Sequence, residues 1–282
     1  MMASVKRKRF VSHTIVVLVL ALGSITTIVP LLWMVITSFD WSARLNITFP
    51  PRFWPEDPSF DTYRVAFSNV PMLRYIGNSL VISAGVIAIS SCSALLSGYA
   101  LSKLRFKGSS IVLMAALSTM MVPFEMTMIP QYIIIYKLHL VDSYWAIYLP
   151  AINYAFGTFL VKSFMDQLPS DFREAGIMDG ANEFTVFWRI FLPLCHPIAA
   201  TMVILIFLHV WNDLLWPLLV LKDMSKFTIQ LGLALFSFKD GINPMPAIIM
   251  AGTTVSIVPV VAVYLFLQKY IIASIAMTGV KQ

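Results

Sequence analysis

Charged residues along the chain gather in short intervals, and between them lie long uncharged runs. The runs are Thr14–Phe39, Tyr75–Ser102, Ser143–Val161, Ile190–Asn212 and Gly241–Gln268; a further one, Gly108–Tyr136, is interrupted only by Glu125. A helix needs about 20 mostly apolar residues to cross hydrocarbon, because lipid offers no partner to backbone N–H and C=O groups. Each run is too long for a strand, and none shows the short alternating pattern of an outer-membrane barrel. The pattern predicts an all-α membrane protein with six transmembrane helices, at about residues 14–39, 75–102, 108–136, 143–165, 192–221 and 245–270. These would form one membrane domain over 14–272, between an N-terminal segment (1–13) and a C-terminal tail (273–282).

Composition agrees and narrows the class. Of 282 residues, 59% are hydrophobic and 12% charged, against about 45–50% and about 25% in soluble domains. With a mean hydropathy of +0.81, the chain could not cover a soluble surface with polar groups. An ordinary soluble enzyme, a disordered protein and a nucleic-acid binder are excluded. Cys92 and Cys195 both fall in apolar surroundings and read as small buried hydrophobes, with no disulfide framework or metal motif around them. Lys6–Arg9 followed by an apolar stretch has the look of a signal peptide. The 26-residue run Thr14–Phe39 is too long for that and reads as a retained first span.

The excess of positive charge (+6) is a topology signal. Cytoplasmic loops carry the surplus of Lys and Arg. With the N-terminus cytoplasmic, 12 of the 20 Lys and Arg fall on that side, including the acid-free turn Lys103–Lys107. Both termini are therefore expected to be cytoplasmic. The loop 40–74 is external; within it, Phe60–Phe67 reads as an interfacial helix anchored by Trp54 and Tyr63, or as a docking surface for an external partner.

The loop 166–191 faces the cytoplasm and is too long for a simple connection. It reads as a helix–turn–helix. Pro169 ends the preceding span, Ser170 is positioned to cap a first helix, and Asp171 complements its N-terminal dipole. Gly180 suits a left-handed terminator, and Asn182 can cap a second helix holding Glu183, Phe184, Phe187 and Trp188. Small residues at Ala175 and Gly176 let another chain segment come close. A protein partner accounts for this much structure outside the bilayer; the bland alternative is a solvated amphipathic loop lying on the membrane face.

The order Glu174-Ala175-Gly176, Gly180, Ile190 and Leu192-Pro193 resembles the EAA loop of ATP-binding-cassette (ABC) importer permeases, with Gly176 standing where the pattern has a second Ala. The stretches Trp211-Asn212-Asp213-Leu214-Leu215-Trp216-Pro217 and Gln268-Lys269-Tyr270-Ile271 resemble the carbohydrate branch, of the MalG type of maltose permease component. The resemblance implies a type I importer permease fold with cytoplasmic coupling helices, set in the cytoplasmic membrane. Glu174, Ala175, Gly176, Asp179, Gly180, Ile190, Leu192 and Pro193 would couple it to an ATPase. Implied partners are a second, MalF-like permease subunit, two copies of a cytoplasmic ABC ATPase, and an extracellular or periplasmic solute-binding protein. The chain has no phosphate-binding Gly-x-x-x-x-Gly-Lys loop. It is thus expected to be a non-catalytic subunit without cofactors of its own, with ATP and Mg on the partner ATPase.

Ionisable and amide side chains at membrane depth are candidates for a substrate pathway. They are Glu125, between Pro123 and Pro130, with Gln131, Asn153, Tyr154, Asn212 and Asp213. His196 and His209 read as structural, without a carboxylate partner at helical spacing. The expected function is a permease subunit of a binding-protein-dependent importer for a sugar or oligosaccharide, working by alternating access. A polyol or glycerol phosphate permease is the near alternative. An ion-gradient-driven secondary transporter would want acids or bases on several spans, and a membrane enzyme would want a reactive constellation that the sequence lacks.

Overall fold

The computed structural model describes residues 2–45, 50, 52–104, 106–238 and 245–279, with side chains described only within 13–234 and 245–268. The side chains of Lys6–Arg9, Arg105 and the last residues, 280–282, which entered the charge and tail expectations, lie outside these limits.

The described residues are helical and contain no strand; a single bridge pairs Asp40 with Pro58. In chain order the helices are α1 (Met2–Ser38), α2 (Asp61–Asn69), α3 (Met72–Lys103), α4 (Ser109–Thr119), α5 (Phe124–Lys137), α6 (Trp145–Tyr148) and α7 (Ala155–Met165). After these come α8 (Asp171–Met178), α9 (Glu183–Val186), α10 (Leu192–Leu194), α11 (His196–Asn212), α12 (Leu215–Val220), α13 (Ile229–Phe238) and α14 (Pro246–Gly279). The segments expected as tails are helical too: α1 begins at Met2 and α14 runs on to Gly279.

Three helices are long and apolar enough to cross a membrane: His13–Ser38 within α1, all of α3, and Pro246–Gln268 within α14. Two further apolar stretches are bent pairs, one over the expected span 108–136 and one joining the second half of the 166–191 loop to the expected span 192–221. Ser109–Thr119 and Phe124–Lys137 meet at 100°, and Glu183–Leu194 and His196–Asn212 at 76°. Counting each bent pair as one span gives up to five. The sequence pattern misses the breaks because they arise from backbone chemistry that leaves hydrophobicity untouched. Pro123 adopts ψ 139° before α5, which turns the chain out of the helical direction. In the second pair, Pro193 and Pro197 flank Cys195, and neither supplies an N–H to a helical ladder. The expected span 143–165 is divided into α6, a short turn at Pro150–Ile152 and α7.

The chain divides into two compact units, Met1–Met72 with Leu233–Ile257, and Leu73–Gly232 with Val258–Gln282. In the first, the large apolar side chains of α1 from Ile15 to Leu32 are exposed, as suits a helix for which lipid is the solvent, and of its described side chains only Thr37 and Ser38, at its end, are buried. Below it, Asp40 organises the following loop. Its Oδ1 accepts from Ser42 N (3.1 Å), Ser42 Oγ (2.7 Å) and Asp57 N (3.2 Å), and its Oδ2 from Glu56 N (3.1 Å). Burial opposes ionisation of Asp40, but these donors outweigh it and hold its pKa below the usual value. Tyr63 ties α2 back to the end of α1: its hydroxyl hydrogen-bonds Ser38 Oγ at 2.6 Å and its ring packs 4.9 Å from Phe39. Trp54 does face outward, 81% exposed.

In the second unit, α3 lies against the 146–162 segment through small and hydroxyl side chains, the packing that favours close helix approach in lipid. Ser90 Oγ donates to the Ala151 carbonyl (2.7 Å), and Ser97 Oγ shares a hydrogen bond with Thr158 Oγ1 (2.7 Å). At Gly98 a Cβ would stand only 2.5 Å from Val161 Cγ1. Cys92, expected to be buried, is exposed on this helix, whereas Cys195 is buried.

Candidate coupling loop and polar positions in the spans

The loop between α7 and α11 folds as two helices around a tight turn. Asp171 and Glu174 lie in the first turn of α8, where negative charge meets the positive end of the helix dipole. Ser170 does not cap with its side chain. Its backbone is already right-handed helical (φ −67°, ψ −21°), which keeps the hydroxyl from the free N–H groups; its carbonyl instead accepts from Arg173 N and Glu174 N. The C-terminus closes as a Schellman motif. Gly180 has φ +82°, its N–H bonds the Ile177 carbonyl, and the Ala181 N–H bonds the Gly176 carbonyl, each at 3.0 Å. Asn182 caps α9, its Oδ1 accepting from Thr185 N at 2.8 Å and from Thr185 Oγ1 at 2.9 Å.

From α9 the backbone loosens to π-helical bonding across Phe187–Phe191 and continues through α10. Val186, Phe187 and Phe191 are buried. Gly176 packs against this second arm, so its smallness serves contact inside the loop. Of the other coupling positions, Glu174, Ala175, Asp179 and Gly180 are exposed, as is Pro193, and Ile190 and Leu192 are half-buried. The outward surface also carries Met178, Phe184 and Trp188, the last two ring-stacked at 6.1 Å.

An ionic hinge that the sequence reading missed joins the two arms. Arg173 on α8 pairs with Glu183 at the start of α9, and its Nε donates to Glu183 Oε2 at 3.2 Å. The same oxygen accepts the hydroxyl of Tyr99 on α3 at 2.8 Å. The Arg173 guanidinium holds the Glu183 carboxyl below the usual carboxylate range; partial burial opposes this and the tyrosine hydroxyl supports it. The opposite charges flanking Gly180 were a usable signal for the pair. Nothing in the sequence pointed to Tyr99.

Among the described residues no hydrogen bond joins any two of the six candidate pathway residues. Glu125 is exposed in the first turn of α5, just after the bend, and Gln131 is half-buried two turns on. Asn153 is exposed in the extended link before α7, and the ring of Tyr154, at that helix's N-cap, lies over Gly157. Asn212 Nδ2 turns back to the Leu208 carbonyl (2.7 Å), and Asp213 Oδ1 receives Trp216 N (3.4 Å). The expectation for His209 needs correcting on one point: it precedes Asp213 by four residues, so a carboxylate does lie at helical spacing. His196 Nδ1 contacts the Pro193 carbonyl.

A chain of apolar helices, two of them sharply broken, that keeps a folded polar loop between α7 and α11 is a multi-pass membrane protein of the permease type. The sequence profile of the family described as "Binding-protein-dependent transport system inner membrane component" matches residues 90–277, and the chain belongs to this family. It is 36% identical over 256 residues to the arabinooligosaccharides transport system permease protein AraQ of Halalkalibacterium halodurans, covering 89% of this chain and 90% of that protein. It is 29% identical over 287 residues to the galactooligosaccharides transport system permease protein GanQ of Bacillus subtilis, covering the whole of both. Its fold is similar to a chain in the crystal structure of a bacterial ABC transporter involved in the import of the acidic polysaccharide alginate. There the TM-score is 0.80 at 24% identity, covering 92% of this chain and 96% of the other.

Proposed function

We propose that the chain is the permease subunit of a binding-protein-dependent ABC importer for a sugar or oligosaccharide, driven by a separate ATPase through the 166–191 loop. The observation that carries this reading is the loop itself. Its two arms are fixed to each other by Gly176, Arg173 and Glu183, while Glu174, Ala175 and Met178 are left exposed. A loop built only to join two spans would need neither the internal ion pair nor the outward apolar surface. The named relatives, which carry arabino- and galactooligosaccharides by their descriptions, support the solute class.

In this reading the membrane is crossed six times. The three long helices, the bent pair Ser109–Thr119 and Phe124–Lys137, the 143–165 segment with its apolar helix α7, and the stretch that begins with α11 supply the crossings, the loop 166–191 staying outside the bilayer. Both termini lie in the cytoplasm, the membrane is the cytoplasmic one, and a second permease subunit, two ATPase copies and a solute-binding protein complete the importer. ATP and Mg are bound by the ATPase. Nucleotide-driven closure of the ATPases shifts the loop, and the shift moves the spans between inward- and outward-facing states. The test is uptake of labelled arabino- and galactooligosaccharides into vesicles holding the assembled importer. Uptake that stops on ATP depletion and survives collapse of the proton and sodium gradients is expected; the reverse dependence overturns the reading.

A further inference from the structure

The cytoplasmic end of α3 grips the loop at both of its ends, and it does so through side chains. At the entry, Ser102 Oγ donates to Asp166 Oδ1 (2.6 Å), itself paired with Lys162, and Lys103 Nζ donates to the Leu168 carbonyl (2.7 Å). Lys103 is only 7% exposed, and its ammonium lies 5.5 Å from the ring centroid of Phe191. At the exit, Tyr99 stands between Phe187 and Phe191, at 5.2 and 5.3 Å, and donates to Glu183. Glu183 thereby ties together three segments: α3, α8 through Arg173, and α9, on which it sits.

We propose that Tyr99 is a positioning residue that delivers movement of the loop to α3, beside the covalent route through α7 and α11. Tyr99 is 5% exposed, so its hydroxyl has little water to turn to. Losing the carboxylate would leave a buried donor unpaired. The acceptor is a carboxylate, which makes this the stronger, charge-assisted kind of hydrogen bond, and the flanking rings fix its direction. A displacement of α9 therefore has to carry Tyr99 with it or leave that donor unsatisfied. The inference rests on the reading of the loop as the ATPase-driven element.

The experiment uses the importer purified with its second permease and ATPase, placed in lipid nanodiscs, in a background with Cys92 and Cys195 replaced. Spin labels at Met178 and Met224 report movement of the loop against a turn on another part of the chain; labels at Met178 and Leu104 report whether the end of α3 follows. On adding ATP with magnesium, the first distance is expected to change and the second to stay fixed. In Tyr99→Phe, the first should still change and the second should now change as well. Glu183→Gln, which keeps an oxygen facing the tyrosine, should hold the second distance fixed. Glu183→Ala should behave like Tyr99→Phe and substitutes for it if that variant does not assemble. If the second distance stays fixed in Tyr99→Phe, or in Glu183→Ala, while the first still changes, the role of Tyr99 is overturned. If the first distance is unmoved by ATP in the unsubstituted protein, the loop is not the driven element, and the proposed function fails with it.

Discussion

Gly176 lies against Ile190 so closely that a Cβ on the glycine would stand 3.1 Å from Ile190 Cδ1 and 3.0 Å from Val186 Cγ2. The contact sets how the two arms of the loop meet. Gly176→Ala would gain about 1 kcal/mol of helix propensity and lose about as much to crowding, which a few tenths of an ångström of movement at the side-chain ends can relieve. Its melting temperature in detergent should lie near that of the parent, whereas Gly176→Leu should be markedly destabilised. A stable Gly176→Leu protein would show that the arms are not packed as described.

The turn rests on backbone chemistry. No atom would obstruct a side chain at Gly180, yet its φ of +82° is unfavourable for any residue with a Cβ. Gly180→Ala should cost about 1–2 kcal/mol, with Gly180→Asn milder because asparagine tolerates this conformation. Asn182→Ala should cost about 1 kcal/mol by leaving Thr185 N–H without its cap. Thermal unfolding followed by tryptophan fluorescence ranks these variants.

Asp142 fastens the 137–142 turn to the 220–226 segment. Its Oδ1 receives the N–H groups of Lys222 and Asp223 at 2.9 and 3.0 Å, and its Oδ2 the Lys226 ammonium at 2.8 Å. The Asp223 N–H, then Lys226, with Lys222 adding to them against slight burial, lower its pKa from 3.8 to about 2. A group depressed on folding stabilises the fold above its unfolded pKa and loses that contribution as pH falls through the folded value. Stability should therefore decline as pH falls from about 4 to about 2, and Asp142→Asn should remove this part of the decline. The check is a series of melting temperatures against pH for both proteins.

The carboxylate of Glu174 is exposed, whereas that of Glu183 is held by Arg173 and Tyr99. Glu174→Lys should leave the melting temperature within the range of surface substitutions, about 0.5 kcal/mol. It should lower ATP-driven uptake about fivefold or more, the scale of a coupling energy between sites. Gly180→Pro should also lower uptake, but with loss of stability. Paired uptake and ATP-hydrolysis assays separate the two causes.

The spans were legible where hydrophobicity alone decides the structure. The run Tyr75–Ser102 became α3, with no proline in its ladder, and Thr14–Phe39 falls almost wholly inside α1, which carries Pro30 without breaking. Direction was not legible: an apolar run reads the same whether Pro123 turns it by 100° or not. In the loop, Gly180 and Asn182 were readable because their roles depend on their own backbone. The six polar residues were found by type, but type does not say which of them face one another. Tyr99 and Glu183 are 84 residues apart, and their meeting is a product of tertiary packing that no local pattern records.

If the loop is the coupling element, the ATPase engages the chain at the exposed arm around Met178. The most direct measurement is cysteine cross-linking in the assembled importer, in a background with Cys92 and Cys195 replaced. Met178→Cys, at a position 88% exposed, is compared with Met224→Cys, at one 55% exposed. The account predicts that a short bifunctional maleimide reagent joins position 178 to the ATPase subunit and leaves position 224 unjoined. A membrane-impermeant thiol reagent added outside intact cells should label only 224. Labelling of 178 from outside, or no ATPase adduct at 178 in an importer that still takes up solute, would contradict it.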